Sequence, residues 1–90
     1  MVTNGRKNGT VRFSVDGGQD ITKAFVAGDF TGWEPVRMRK RSDTFAVTLP
    51  LEAGHHQYKF ILDDQWRTDP DNEHCAVSDM GTVNSVAMVS

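Results

Sequence analysis

Cysteine, proline and long apolar runs are scarce in this sequence of 90 residues, and each scarcity excludes a class of protein. The single cysteine, Cys75, has no partner for an internal disulfide, which is typical of a reducing compartment and predicts a cytoplasmic location. No apolar run approaches the ~18 residues of a transmembrane helix, so no membrane contact is expected. The N-terminus has no apolar stretch behind its charges, unlike a secretory signal.

Charge of one sign is also lacking, since ten Lys and Arg residues stand against twelve Asp and Glu residues. This balance argues against nucleic acid as the partner, because nucleic-acid-binding domains are more often strongly basic. The charges are unevenly spread: residues 1–41 hold eight basic and four acidic residues, whereas residues 42–90 hold two and eight. The basic half peaks at residues 37–41, which we interpret as a solvated strand edge, with steering of a charged partner as the alternative.

The length and composition predict one small domain with a modest core, since 38% of the residues are hydrophobic. Residues 1–9 are mostly polar, and we expect them to form a flexible N-terminal segment before a single domain over residues 10–90.

Helical periodicity is absent, and short alternating runs separated by turn residues predict an antiparallel β-sandwich or barrel of about seven short strands. In the run 10–15, for example, Val11, Phe13 and Val15 share one face. In the run that follows Gly54, one face carries His56, Tyr58, Phe60 and Leu62, and the other carries Gln57, Lys59 and Ile61. Four phenylalanines fall at positions expected to be buried: Phe13, Phe25, Phe45 and Phe60.

The residues that catalysis requires do not form a recognisable set, so we predict that the chain is not an enzyme. His55 and His56 are adjacent in a strand and point to opposite faces. His74 and Cys75 are neighbours, but two ligands are far short of a tetrahedral metal site. No phosphate-binding or dinucleotide-binding motif is present, so neither a metal nor a cofactor is expected.

Both tryptophans lie outside the core pattern, and we interpret them as a ligand platform. Trp33 sits in a loop with Gly32 and Pro35, and Trp66 follows a turn. An indole offers a flat apolar face to a nucleobase, a proline or a sugar ring, and Lys59 could supply a hydrogen-bond donor beside it. The alternative is that each indole merely packs over an end of the sheet.

Four motifs resemble those of the glycogen-binding domain in the β subunit of AMP-activated protein kinase and of carbohydrate-binding module family 48. Residues 28–33 (Gly-Asp-Phe-Thr-Gly-Trp) resemble the family's Gly-x-Phe-Asn-x-Trp, and residues 51–60 resemble its Leu-Pro-Glu-Gly-x-His-x-Tyr-Lys-Phe. Residues 63–70 are similar to Asp-Gly-x-Trp-x-x-Asp-Pro, and residues 81–84 to Gly-x-x-Asn. The resemblance covers about residues 10–90 and implies an immunoglobulin-like β-sandwich of the early-set type.

The resemblance further implies a non-catalytic module that binds an α-1,4-glucan such as glycogen, starch or a maltooligosaccharide. It implies that Trp33 and Trp66 stack on glucose rings and that Lys59 and Asn84 bond sugar hydroxyls. Thr82 is expected to contribute nearby, and Met80 stands where the kinase subunit has a leucine that projects into the glucan. Three departures from the family pattern leave these principal contacts in place: Thr31 for Asn, Asp64 for Gly and Ser85 for a second Asn.

Two alternatives to sugar binding remain open at this point. The first is a protein–protein interaction domain on the same scaffold, within a kinase or glycogen-enzyme assembly or beside a fused catalytic domain. The second is nucleic-acid binding through residues 37–41 with tryptophan stacking, which would be steeply salt-dependent.

Overall fold

The computed structural model describes residues 1–4, 9–17, 21–78 and 81–89. In these ranges the chain forms ten β-strands and one short 3₁₀ turn, and no helix there has the length and apolar character to cross a membrane. The strands are β1 (Val2–Asn4), β2 (Thr10–Asp16), β3 (Ala24–Gly28), β4 (Val36–Arg37), β5 (Arg39–Arg41), β6 (Thr44–Pro50), β7 (Gly54–Leu62), β8 (Gln65–Arg67), β9 (Cys75–Val77) and β10 (Val83–Val89). The 3₁₀ turn, Asp29–Thr31, follows β3.

The strands form two antiparallel sheets, which confirms the predicted immunoglobulin-like β-sandwich. One sheet has the order β1-β2-β6-β5, and the other has the order β4-β3-β7-β10-β9. Strand β7 pairs with β3 through residues 58–62, with β10 through residues 54–58, and with β8 through residues 60–62. Because a strand has only two pairing sides, β8 and β10 follow one another along the same side of β7. This arrangement brings the segments after residue 62 and before residue 85 close together.

Aromatic rings fill the space between the sheets. Phe13, Tyr58 and Phe60 are fully buried, and the Tyr58 ring meets Phe13 and Phe60 edge-on at centroid distances of 5.0 and 5.6 Å. Phe30, which belongs to the 3₁₀ turn, stacks on Phe13 with the ring centroids 5.3 Å apart. The period-two pattern of β2 and β7 therefore assigned the inner faces of both strands correctly.

The strand count and one core assignment differ from the sequence prediction. Val2–Asn4 forms a strand on β2, because Val2 pairs with Phe13 and packs against the core. The run 36–39 is two strands, since buried Met38 carries the chain from the edge of one sheet to the edge of the other. Phe25 is only half-buried, because it lies opposite Ile61 on the outer face.

A buried carboxylate ties the turn after β8 to the core. Asp69 is 3% exposed; its carboxylate accepts a hydrogen bond from the Tyr58 hydroxyl at 2.6 Å and contacts the Met1 amino group. Its backbone N–H donates to Ser85 Oγ at 2.7 Å. Asn72 Nδ2 donates to the Tyr58 hydroxyl and to the Val86 carbonyl, both at 2.9 Å. This network holds the turn 69–72 against β7 and β10.

The Tyr58 hydroxyl is expected to make the free energy of unfolding decrease as the pH becomes alkaline. Burial, with the bond to Asp69 adding to it, raises the pKa of Tyr58 well above its usual range. The stabilising effect of the protonated phenol is complete below about pH 10 and declines above it, because only the unfolded chain then releases this proton. Between pH 10 and 11 we expect the wild type to lose about 1 kcal/mol more of its free energy of unfolding than Tyr58→Phe loses. Urea denaturation at the two pH values measures this difference, and equal losses would contradict it.

Candidate functional site

An open groove of about 550 Å³ crosses the outer face of the larger sheet. It brings together five of the six residues predicted from the sequence: Trp33, Lys59, Trp66, Thr82 and Asn84. The sixth, Met80, lies outside the described residues. Four further side chains line the groove and were missed from the sequence: Asp29, Gln57, Val77 and Ser78.

The hairpin between β7 and β8 presents Trp66 to the groove. Leu62 pairs with Gln65, so only Asp63 and Asp64 form the turn, and both have positive φ, of 48° and 70°. Two successive residues of positive φ are what a two-residue hairpin turn requires. Asp64 thus adopts the left-handed conformation for which the family commonly has Gly. Trp66 lies opposite Ile61 on the outer face and is 50% exposed.

Asp63 anchors this hairpin to the start of β3. Its carboxylate accepts hydrogen bonds from the Thr22 hydroxyl at 2.8 Å and from the backbone N–H groups of Thr22 and Lys23 at 3.1 Å each. The Thr22 hydroxyl, followed by the Lys23 N–H, holds the pKa of this carboxyl below its usual range. The turn that precedes Trp66 is therefore held by hydrogen bonds to the segment that leads into β3.

The 3₁₀ turn after β3 presents Trp33. Thr31 Oγ1 accepts a hydrogen bond from the Gly28 N–H at 3.1 Å and donates to the Gly28 carbonyl at 3.0 Å, so Thr31 closes the turn in which the family usually has Asn. The same carbonyl accepts from the Trp33 N–H at 2.8 Å. Trp33 is 37% exposed, and its φ of 62° is rarely adopted by a bulky residue.

This backbone strain predicts an unusual order of stability at position 33. Trp33→Gly relieves the left-handed conformation and Trp33→Ala retains it, so we expect the glycine variant to be more stable by about 1 kcal/mol. At ordinary strand or helix positions glycine is instead the less stable of the two. Urea denaturation of both variants measures the order, and an alanine variant of equal or greater stability would contradict the left-handed conformation.

Gly28 permits the close approach of the 3₁₀ turn to β7. A Cβ at this position would lie 2.5 Å from the Gln57 carbonyl oxygen and 2.5 Å from the Phe30 ring. Because one of these contacts is backbone, any side chain would push the turn away from β7. The glycine of the first motif is thus needed to bring Trp33 beside Lys59.

The polar side chains of the groove come from β7 and β10. Lys59 is on the outer face of β7, as the alternation predicted, and among the described residues it has no ion-pair partner. Asn84 is 4% exposed, and its Nδ2 donates to Gln57 Oε1 at 2.9 Å. The Thr82 hydroxyl lies 2.7 Å from Ser78 Oγ. Ser85 points inward to Asp69, so it takes no part in the groove.

The basic residues of the run 37–41 line a second groove, of about 640 Å³, that shares no lining residue with the first. Arg39 and Arg41 pair with β6 in the smaller sheet, and Arg12 joins them from β2. Because neither tryptophan lines this groove, the combination of basic residues 37–41 with tryptophan stacking does not occur on one surface. Elsewhere in the described ranges, no three His, Cys, Asp or Glu residues are placed to hold a metal ion.

Curated relatives of similar sequence are subunits of a protein kinase. The 5'-AMP-activated protein kinase subunit beta-1 of Sus scrofa is 36% identical over 81% of this chain and 57% of its own length. The human subunit beta-1 is 36% identical over 81% of this chain, and the mouse subunit beta-2 is 36% identical over 88%. The chain spans only 26% and 28% of the length of these last two proteins.

Solved structures of similar fold include parts of much larger enzymes. A maltogenic amylase from S. marinus superposes with a TM-score of 0.75 at 26% identity, covering 90% of this chain and 13% of that one. An enterochelin esterase from Shigella flexneri gives 0.75 at 16% identity, covering 99% and 32%, which is a likeness of fold alone. The family model described as the glycogen recognition site of AMP-activated protein kinase matches residues 11–90, and the chain belongs to this family.

Proposed function

We propose that the groove binds an α-1,4-glucan, with Trp33 and Trp66 stacking on glucose rings. The observation that carries this proposal is the meeting of two half-exposed indoles with Lys59 and Asn84 in one groove, from elements far apart in sequence. Sugar recognition requires this combination, because a pyranose has an apolar face to stack and hydroxyls to bond. Membership of a glycogen-recognition family supports it independently.

The stacking contacts supply most of the expected affinity. If each indole covers on the order of 100 Å² of apolar surface, two stacks contribute roughly 5 kcal/mol at ~25 cal/mol/Å². Hydrogen bonds add about 1 kcal/mol each, and association costs at least ~4 kcal/mol. With about three such bonds the balance is roughly 4 kcal/mol, so we expect weak binding of a short oligosaccharide, at the ~1 mM end of a range from ~10 μM to 1 mM.

The polar contacts select the orientation of the sugar. The Lys59 ammonium has no ion-pair partner among the described residues and is therefore available to donate to hydroxyls. Asn84 uses Nδ2 on Gln57, which holds the amide so that its carbonyl oxygen can accept from the same sugar. Thr82 borders this subsite, and Met80 is proposed from the family pattern alone.

We assign the chain a targeting or regulatory role rather than a catalytic one. Its relatives are subunits of a kinase, and the amylase of similar fold carries this domain as a small part of an enzyme. A weak glucan module placed beside a kinase or a fused catalytic domain would bring that partner to the polysaccharide, in the cytoplasm. A docking role towards the partner protein is the second candidate, favoured by the separate basic groove.

Titration with maltoheptaose, followed by tryptophan fluorescence, tests the proposal directly. Both tryptophans of the chain line the groove, so stacking must change their emission. We expect a saturable change with maltoheptaose and none with cellohexaose, whose β-linkages give a straighter chain. No change at millimolar maltoheptaose would contradict glucan binding and favour the docking role.

A further inference from the structure

His56 lies between two hydrogen-bond acceptors at the back of the loop that carries Trp33. Its Nε2 is 2.7 Å from the Glu52 carbonyl oxygen, and its Nδ1 is 3.6 Å from Asp29 Oδ1. A neutral imidazole carries one N–H and can satisfy only one of two acceptors, whereas the imidazolium donates from both nitrogens. The Phe30 ring packs edge-on to the imidazole at 5.9 Å and limits its rotation.

Asp29 connects this imidazole to the groove. Its Oδ2 accepts from the Gln57 N–H at 2.9 Å, while its Oδ1 faces His56. Asp29 is the first residue of the 3₁₀ turn that leads to Trp33, and it lines the groove itself. Gln57 in turn accepts from Asn84. One carboxylate therefore joins the Trp33 loop to the strand that positions the amide of the sugar site.

We propose that Asp29 is a positioning residue of the glucan groove and that protonation of His56 strengthens its hold on the Trp33 loop. The inference rests on the proposed function. With neutral His56, whose single N–H is used by the Glu52 carbonyl, the one hydrogen bond to the carboxylate among the described residues comes from the Gln57 N–H. With His56 charged, the second oxygen gains an ion pair, and the loop is held at two points. A loop ordered before binding loses less entropy when the sugar arrives, so the affinity rises.

Few charged groups other than Asp29 face His56 from the elements around it. From the 3₁₀ turn the charged group facing His56 is Asp29, and from the β6–β7 connection Glu52 presents its carbonyl while the residue is exposed. Across β10 the residue opposite His56 is uncharged Ala87. On β7 itself, His55 lies on the other face and is exposed. Of the two histidines on β7, His56 is therefore the one that can couple protonation to the groove.

The test is the affinity for maltoheptaose at pH 5.5 and pH 8.0, a range across which an imidazole gains its charge. The glucan is neutral throughout, so any pH dependence belongs to the protein. For this partly exposed ion pair we expect binding to be about threefold tighter at pH 5.5. By linkage, calorimetry near pH 6.5 in buffers of different ionisation enthalpy should show net proton uptake on binding.

Three variants assign the effect. In His56→Gln and in Asp29→Asn, which retains an oxygen for the Gln57 N–H, the ratio of affinities should fall to about one. His55→Gln is the matched control and should keep the wild-type ratio. Equal binding at both pH values in the wild type, or a ratio that survives in both His56→Gln and Asp29→Asn, would overturn the inference and leave glucan binding intact. No binding at either pH would overturn the proposed function as well.

Discussion

Trp66→Ala is expected to weaken maltoheptaose binding by on the order of 50-fold. The estimate follows from losing about 100 Å² of stacked apolar surface, or roughly 2.5 kcal/mol. Because half of the Trp66 surface is buried and the indole lies opposite buried Ile61, its removal should also lower the free energy of unfolding, by about 1–2 kcal/mol. Fluorescence from Trp33 reports the remaining binding, and urea denaturation reports the stability.

Arg67→Ala is the matched control for this experiment. Arg67 is the next residue on β8, is exposed, and bonds only Gln65 among the described residues, without lining the groove. It should bind maltoheptaose as the wild type does. An alanine at position 66 that leaves the affinity within twofold of wild type would show that the indole does not stack on the sugar. The groove would then need another explanation.

Asp69→Ala is expected to lower the free energy of unfolding by about 3 kcal/mol. The buried carboxylate accepts from the Tyr58 hydroxyl and, at 2.9 Å, from the Asp71 N–H, and both donors would lose their partner. An unsatisfied buried donor costs about 1–3 kcal/mol. A loss of this size is a large fraction of the ~5–15 kcal/mol by which small domains are stable. Urea denaturation measures it.

Asp71→Ala serves as the control, because Asp71 belongs to the same turn but is exposed. We expect it to change stability by no more than ~0.5 kcal/mol. Asp69→Asn, which keeps one acceptor, should lie between the two. Equal stability of Asp69→Ala and Asp71→Ala would show that the carboxylate does not hold the turn.

The contact of Asp69 with the core could not be predicted from its place in a turn. The run 69–72 reads as an ordinary turn, in which Asp is common because its side chain caps nearby backbone groups. Asp69 does accept a hydrogen bond from the Asp71 N–H, but it also accepts one from the hydroxyl of Tyr58, eleven residues earlier on β7. Local sequence carries no sign of that second contact, since it depends on how β7 and β10 pack.

Alternation by itself determined which faces of β2 and β7 are buried and which side Lys59 occupies. Successive side chains of a strand point to opposite faces of the sheet, so when one face is covered the apolar residues at every second position identify it. Short runs were harder: three-residue β1 and β9 offer too few alternating positions, and Phe25 is apolar on an outer face. The family motifs named Trp33, Trp66, Lys59 and Asn84, and the structure brings all four together.

Only the tertiary structure decided what surrounds those four residues. Sequence alternation, turn chemistry and the motifs determined a β-sandwich with two exposed indoles, because each of those signals acts over neighbouring residues. The pairing of β7 with β3, β8 and β10 decided that the indoles share a groove with Asp29 and Gln57. It also separated the basic residues from them. Strand pairing joins residues distant in the chain, and its register depends on how the whole core packs.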